Sequence, residues 1–166
     1  MRNDSEVISR WYQYIAGLVL SPGRFYNLVE IVFDAQQIGD ARRTRTSYAE
    51  GGIGSSRRDY LRLLRHDHSF EICGMPFGKG FAVSWWLMEK QEGCLGGCLS
   101  AVPFLGYLYQ RGVKPITFYK VDSALMFQSV VHELVILPVL DGIISEQGVP
   151  AIAQAARRPT MRELLR

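Results

Sequence analysis

Gly80-Phe-Ala-Val-Ser-Trp-Trp-Leu-Met88 is the stretch of sequence that decides the fold. Side chains alternate between the two faces of a strand, so its residues fall into two sets. Both sets are apolar: Phe81, Val83, Trp85 and Leu87 form one, and Ala82, Ser84, Trp86 and Met88, with a single hydroxyl, form the other. Strands that are apolar on both sides are typical of a sheet interior. The sequence therefore predicts a central strand with both faces covered by helices.

Two similar segments precede this strand, at 58–65 and 70–75. Between the three segments lie His-Asp-His-Ser at 66–69 and Pro-Phe-Gly-Lys at 76–79, which have the composition of turns. Further upstream, arginines alternate with threonines at 42–46, a pattern that favours an edge strand or extended arm. We therefore expect an antiparallel sheet of three to five strands within residues 42–120.

Residues 4–38 are predicted to form an N-terminal helical hairpin. Val7, Trp11 and Ile15 recur at helical spacing and define the first helix. Ser21 followed by Pro22 has the pattern of an N-cap with proline at the first helical position, so the second helix should begin there.

Residues 122–147 are predicted to form a long, buried C-terminal helix, because apolar residues occur nearly all round its circumference. Pro138 should kink it, since proline lacks a backbone donor. Gly148 and Pro150 should end it, leaving a tail at 150–166. The fold class is therefore α+β, with Trp85, Trp86, Phe81 and residues 134–140 in the core.

Length and composition indicate one domain over residues 1–166. The chain has 166 residues, 48% of them hydrophobic, which is enough to bury a core without a metal or disulfides. No signal-peptide hydrophobic region is present at the start. The three cysteines, Cys73, Cys94 and Cys98, are odd in number and do not have zinc-ribbon spacing. We therefore expect a cytoplasmic protein, with peripheral membrane location as the alternative.

An arginine-dense segment at 42–65 is the most distinctive feature of the sequence. It contains seven arginines but only Glu50 and Asp59 as acids, a local charge of about +5. Arginine presents a planar fork that matches phosphates and carboxylates. Strand alternation should place Arg58, Tyr60 and Arg62 on one face, where cations and an aromatic ring could contact nucleic acid. The predicted binding residues are Arg42, Arg43, Arg45, Arg57, Arg58, Tyr60, Arg62 and Arg65.

The function predicted from this segment is that of a non-enzymatic interaction or adaptor protein that contacts an anionic partner, such as nucleic acid or an acidic protein. A second interpretation needs no ligand. Long arginine side chains on an outer strand also shield a sheet edge from aggregation.

Motifs for a cofactor or metal are weak, and neither is predicted. The glycine-rich loop at 51–56 lacks the Gly-Lys-Ser/Thr ending of a phosphate-binding loop and leads into a predicted strand. His66 and His68, with Glu71 and Cys73 downstream, supply zinc-ligand types. The same residues also make an ordinary hairpin turn.

Two other functions stay open. The uncharged segment 93–110, followed by Arg111 and Lys114, is typical of a membrane-associated or oligomer-forming subunit, with contact to a protein partner or to lipid head groups. A small enzyme could instead use His132 and Glu133 with Cys94 or Cys73. A histidine among apolar neighbours on a helix is more often a hydrogen-bonded core residue.

Overall fold

One antiparallel sheet of six strands, with helices packed against it, forms the described part of the chain. The structure is a computed structural model and describes residues 5–49, 57–90 and 118–161. The glycine-rich loop 51–56 and the uncharged segment 93–110 therefore lie outside the described residues. The elements are β1 (Ser5–Ala16), α1 (Pro22–Ala35), β2 (Ala41–Ala49), β3 (Arg57–Arg65), β4 (His68–Phe77), β5 (Gly80–Lys90), α2 (Phe118–Ser129), a π-helical segment (Val130–Ile136), α3 (Leu137–Gln147), a 3-10 turn (Gln154–Arg157) and β6 (Thr160–Met161).

The predicted N-terminal helical hairpin is wrong, because its first half is strand β1. Trp11 and Ile15 are four residues apart, a spacing that fits one face of a strand as well as of a helix, and a bulge places Val7 on the other face. Aromatic and β-branched residues dominate the segment and favour the strand. The second half of the prediction holds: α1 begins at Pro22, and the Ser21 hydroxyl accepts a hydrogen bond from the backbone N–H of Arg24 at 3.2 Å.

The sheet has six strands rather than the predicted three to five, in the order β2-β3-β4-β5-β1-β6. The predicted meander is present as β3, β4 and β5, and the arginine–threonine segment forms the edge strand β2. The two strands that the prediction lacked lie on the far side of β5. They are β1, which pairs along the whole of β5, and β6, which pairs with β1 only at Ser9 and Arg10.

The described helices cover one side of the sheet, not both sides of β5 as predicted. Phe25 of α1 contacts Phe81, with ring centroids 5.6 Å apart. His132 of the π-helical segment contacts Trp85, on the same face of β5. We call this side the inner face and the opposite side the outer face. Trp86 lies on the outer face and is only half-buried, so its predicted place in the core is wrong.

The predicted C-terminal helix is present, but it begins at Phe118 rather than at 122 and runs through α2, the π-helical segment and α3. Before Pro138 the backbone shifts to the wider π pattern, and the N–H of Leu137 bonds the carbonyl of His132. Proline cannot donate to the carbonyl four residues earlier. That carbonyl, of Leu134, instead accepts from the Gln36 side chain at 3.4 Å. Gly148 ends the helix as predicted, and the structure shows it in a left-handed conformation.

This helix packs as the central helix of the core. Val131, Val135, Ile136 and Leu140 are fully buried, whereas Leu134 is 49% exposed, so the predicted core stretch 134–140 is interrupted. By length and composition alone the segment Tyr119–Gln147 could also cross a bilayer. Buried helices of soluble folds have the same composition.

Candidate binding face of the sheet

The strand register divides the predicted arginine set between the two faces of the sheet. Arg62 lies opposite Thr44, Tyr60 opposite Thr46, and Arg58 opposite Tyr48. These residues alternate with the buried Leu61 and Leu63, so they lie on the outer face. Arg43 and Arg45 lie directly opposite those two leucines and therefore belong to the inner face, as Arg57 and Arg65 do by alternation.

Three inner-face arginines hold the helices against the sheet. Arg43 pairs with Asp34 at 2.9 Å. Arg45 binds both carboxylate oxygens of Glu30, at 2.9 and 3.1 Å. Arg65 donates to the Ser123 hydroxyl of α2 at 3.0 Å. Because α1 supplies a carboxylate for each of the first two, these arginines contribute to helix docking and little to an external positive field.

The outer-face residues of β2 and β3 form a cluster of rings and guanidinium groups. Arg62 pairs with Glu71 at 2.5 Å, donates to the Tyr48 hydroxyl and lies 5.7 Å from the centroid of that ring. Tyr48 and Tyr60 meet edge to face, with centroids 5.3 Å apart. Arg58 is exposed. Arg42 is also exposed and lies next to Thr44 on the same face of β2. The predicted neighbours Arg58, Tyr60 and Arg62 therefore do share one face.

Sequence reasoning missed the second half of this face, which lies on β5 and β1. The guanidinium of Arg10 lies 5.6 Å from the centroid of the Trp86 ring. Arg10 and Trp86 are directly opposite each other in the β1–β5 pair. The alternation of Arg10, Tyr12 and Tyr14 with buried Trp11 and Ile15 was the signal for it, but reading the segment as a helix hid that signal.

Charge is segregated on the sheet. On the described strands the outer face carries one carboxylate, Glu71, which is already paired with Arg62. The other carboxylates of these strands, such as Asp59 and Glu89, belong to the inner face by alternation. Against this one acid, the described strands carry five outer-face cations, which are Arg10, Arg42, Arg58, Arg62 and Lys90.

The candidate metal ligands do not converge. His66 is exposed in the β3–β4 turn, and His68 is buried on the inner face. Glu71 and Cys73 lie on the outer face of the same strand, β4. No three potential ligands cluster in the part of the chain that is described. Burial raises the pKa of the Cys73 thiol, which keeps it protonated at neutral pH.

His132 is a core residue with both ring nitrogens engaged. The indole N–H of Trp85 donates to Nδ1 at 3.1 Å, so Nε2 carries the proton and donates to the carbonyl of Arg157 at 2.6 Å. Burial lowers the pKa of His132 and keeps the ring neutral. Glu133 is exposed on the other side of the helix, and Cys73 lies across the sheet. His132, Glu133 and Cys73 thus form no catalytic group; Cys94 lies outside the described residues.

Comparisons with known proteins give no match: no family model, no curated protein and no solved structure resembles this chain. The functional inference therefore rests on the outer face itself. Its distinguishing properties are an unbalanced positive charge and aromatic rings that lie beside guanidinium groups.

Proposed function

We propose that this protein is a non-enzymatic binding protein that contacts nucleic acid through the outer face of its sheet. The observation that carries this proposal is the segregation of charge: on the described strands, five outer-face cations stand against one carboxylate, Glu71, which pairs with Arg62. On the inner face, Arg43 and Arg45 pair with carboxylates of α1.

The chemistry of the face suits a phosphate backbone. Arg42 and Arg58 project from neighbouring strands, and Arg10 lies farther across the same side. Neighbouring strands are separated by about 4.8 Å, so these guanidinium groups are spread over a surface wide enough to meet several phosphates at once. A polymer that carries one charge at each unit matches such a surface better than a single small anion, because each neutralised phosphate releases counterions.

The first prediction compares two double variants, each of which lacks two positive charges. We expect Arg42→Ala/Arg58→Ala to weaken binding of a dye-labelled oligonucleotide and to reduce the slope of log K against log salt by about 1.4, at roughly 0.7 for each phosphate contact. Arg24→Ala/Arg43→Ala should leave the slope close to that of the wild type, because both arginines lie off the outer face and pair with Glu146 and Asp34. Fluorescence anisotropy measures the affinity of both double variants. Titrations at about 50 to 300 mM salt give the slope, because the dependence on salt is large in that range.

Arg42 and Arg43 allow the effect of the outer face to be separated from that of net charge, because they are adjacent in sequence and project from opposite faces of β2. Total charge changes equally in the two double variants. Equal losses of affinity would mean that net charge alone attracts the ligand, and no binding at the lowest salt concentration would exclude nucleic acid as the partner.

A further inference from the structure

A cleft opens beside the Trp86 ring at the β1 end of the outer face. Its volume is about 340 Å³, and Arg10, Trp86 and Thr160 line it together with Val7, Ile8, Ser9 and Met161. Pockets that bind small molecules usually have volumes of about 300–1,000 Å³. The cleft therefore combines an aromatic ring, a guanidinium group and enough space for a flat ring to enter.

Trp86 and Arg10 belong to one row of residues that crosses the whole sheet. Successive cross-strand pairs join Arg62 to Glu71, Glu71 to Trp86, and Trp86 to Arg10. Arg62 and Arg10 are three strands apart, about 14 Å at the usual strand spacing. The row thus links the Trp86 cleft to the tyrosine and arginine cluster of β2 and β3. From edge to edge it reads Thr44, Arg62, Glu71, Trp86, Arg10 and Thr160.

The width of the sheet argues against a duplex. Six strands span about 24 Å, whereas the major groove of B-DNA is about 12 Å wide and admits a helix or a two-stranded ribbon. The outer face could touch a duplex only along its phosphates. A single strand can instead lie across the sheet, with its bases turned towards the aromatic side chains.

We propose that the outer face selects single-stranded over double-stranded nucleic acid, and that an unpaired base stacks on Trp86 in the cleft while Arg10 contacts the adjoining phosphate. This inference rests on the proposed function and adds the ligand class and the stacking residue. Arg62 has a different role here: Glu71 and Tyr48 hold its guanidinium in place beside the tyrosine rings. Single-stranded DNA and RNA share the required chemistry.

Intrinsic tryptophan fluorescence tests the stacking directly. The chain has three tryptophans, and Trp11 and Trp85 are 4% and 0% exposed, so a stacked base can reach only Trp86. We expect a 15-nucleotide single strand of DNA or RNA, added at a salt concentration of about 50 mM, to quench the emission. The matched duplex should leave the emission unchanged. Trp86→Phe should abolish the quenching but keep most of the affinity, because phenylalanine still stacks.

Affinity gives the second measurement. Trp86→Ala should lower the affinity for the single strand about tenfold or more, with little effect on the duplex. Tyr119→Ala, which removes an aromatic ring that is 77% exposed on the C-terminal helix, is the matched control and should change neither. Circular dichroism verifies that each variant is folded.

The outcomes separate the two proposals. Salt-dependent binding of the single strand without quenching, or with equal affinity for the duplex, overturns the stacking inference and leaves the electrostatic function standing. No binding of either form overturns both.

Discussion

Replacing Gly80 by alanine is expected to destabilise the protein by about 3 kcal/mol or more, because the added methyl group has no space. The new Cβ would overlap the backbone oxygen of Ile15 and lie 2.8 Å from the hydroxyl oxygen of Tyr14. The tyrosine side chain can move aside, but the carbonyl belongs to β1 and is fixed by its pairing with β5. Relief requires the two strands to separate where they begin to pair.

Gly142→Ala is the control for this prediction. It lies in α3 with no atom within 4 Å of the added Cβ, so the methyl group fits. Alanine is favoured over glycine in a helix by up to about 1 kcal/mol, and this variant should be more stable than the wild type. Urea unfolding followed by circular dichroism gives both free energies of unfolding. A Gly80→Ala variant within about 0.5 kcal/mol of the wild type would contradict the close approach of β1 to β5.

His132→Ala is expected to cost about 3–4 kcal/mol, the sum of a cavity and two broken hydrogen bonds. The indole N–H of Trp85 and the carbonyl of Arg157 would both lose their partner. His132→Gln retains a donor near the position of Nε2 and should recover part of the loss. If His132→Ala unfolds at the wild-type urea concentration, then the ring contributes no stability and its placement between Trp85 and Arg157 is wrong.

Stability should also fall as the pH is lowered. Burial lowers the pKa of both His132 and His68 in the folded protein, while the unfolded chain protonates them near pH 6.5. The two neutral rings therefore make their full contribution to the free energy of unfolding above about pH 6.5. This contribution is lost as the pH falls from there through the lower pKa values of the folded protein. Urea midpoints at about pH 7.5 and 5.5, on either side of that value, should differ less in His132→Gln than in the wild type.

His66→Asn provides the comparison for this pH effect. His66 is exposed in a turn with a positive φ of 51°, a conformation that asparagine tolerates. The variant therefore shows how far the pH dependence changes when a histidine is removed without straining the backbone. A His132→Gln variant with an unchanged pH dependence would assign the effect to other groups.

Capping residues and apolar periodicity predicted the helices whose positions depend on residues close in sequence. Ser21 and Pro22 place the start of α1, and the all-round apolar pattern with Gly148 places the C-terminal helix and its end. Strand β1 had a local signal only in its second half, where Arg10, Tyr12 and Tyr14 alternate with buried Trp11 and Ile15. A bulge between Val7 and Ser9 shifts its register, so its buried residues do not follow one simple alternation. Pairing with β5 determines this strand, and that information lies far along the chain.

The candidate site was predictable only in its β2–β3 half. Alternation placed Arg58, Tyr60 and Arg62 together, but the role of each arginine depends on what lies across from it. Glu30 and Asp34 of α1 reach Arg45 and Arg43 only once the helix has packed. Arg10 meets Trp86 only through the β1–β5 pairing. No local pattern encodes contacts of this kind.

The strand pairing also determines the order in which the sheet is completed during synthesis. β2 to β5 follow one another along the sheet and pair through short connections, so they can form hairpins as they are made. β1 is synthesised before them, yet it pairs with β5. Ala16 cannot pair until Gly80 has been made, and Ser5 cannot pair until Lys90 has been made. Until then Trp11 and Ile15 have no sheet to join, and the nascent chain exposes an apolar strand that favours aggregation. Of the described strands, the earliest to be synthesised is therefore among the last to be incorporated.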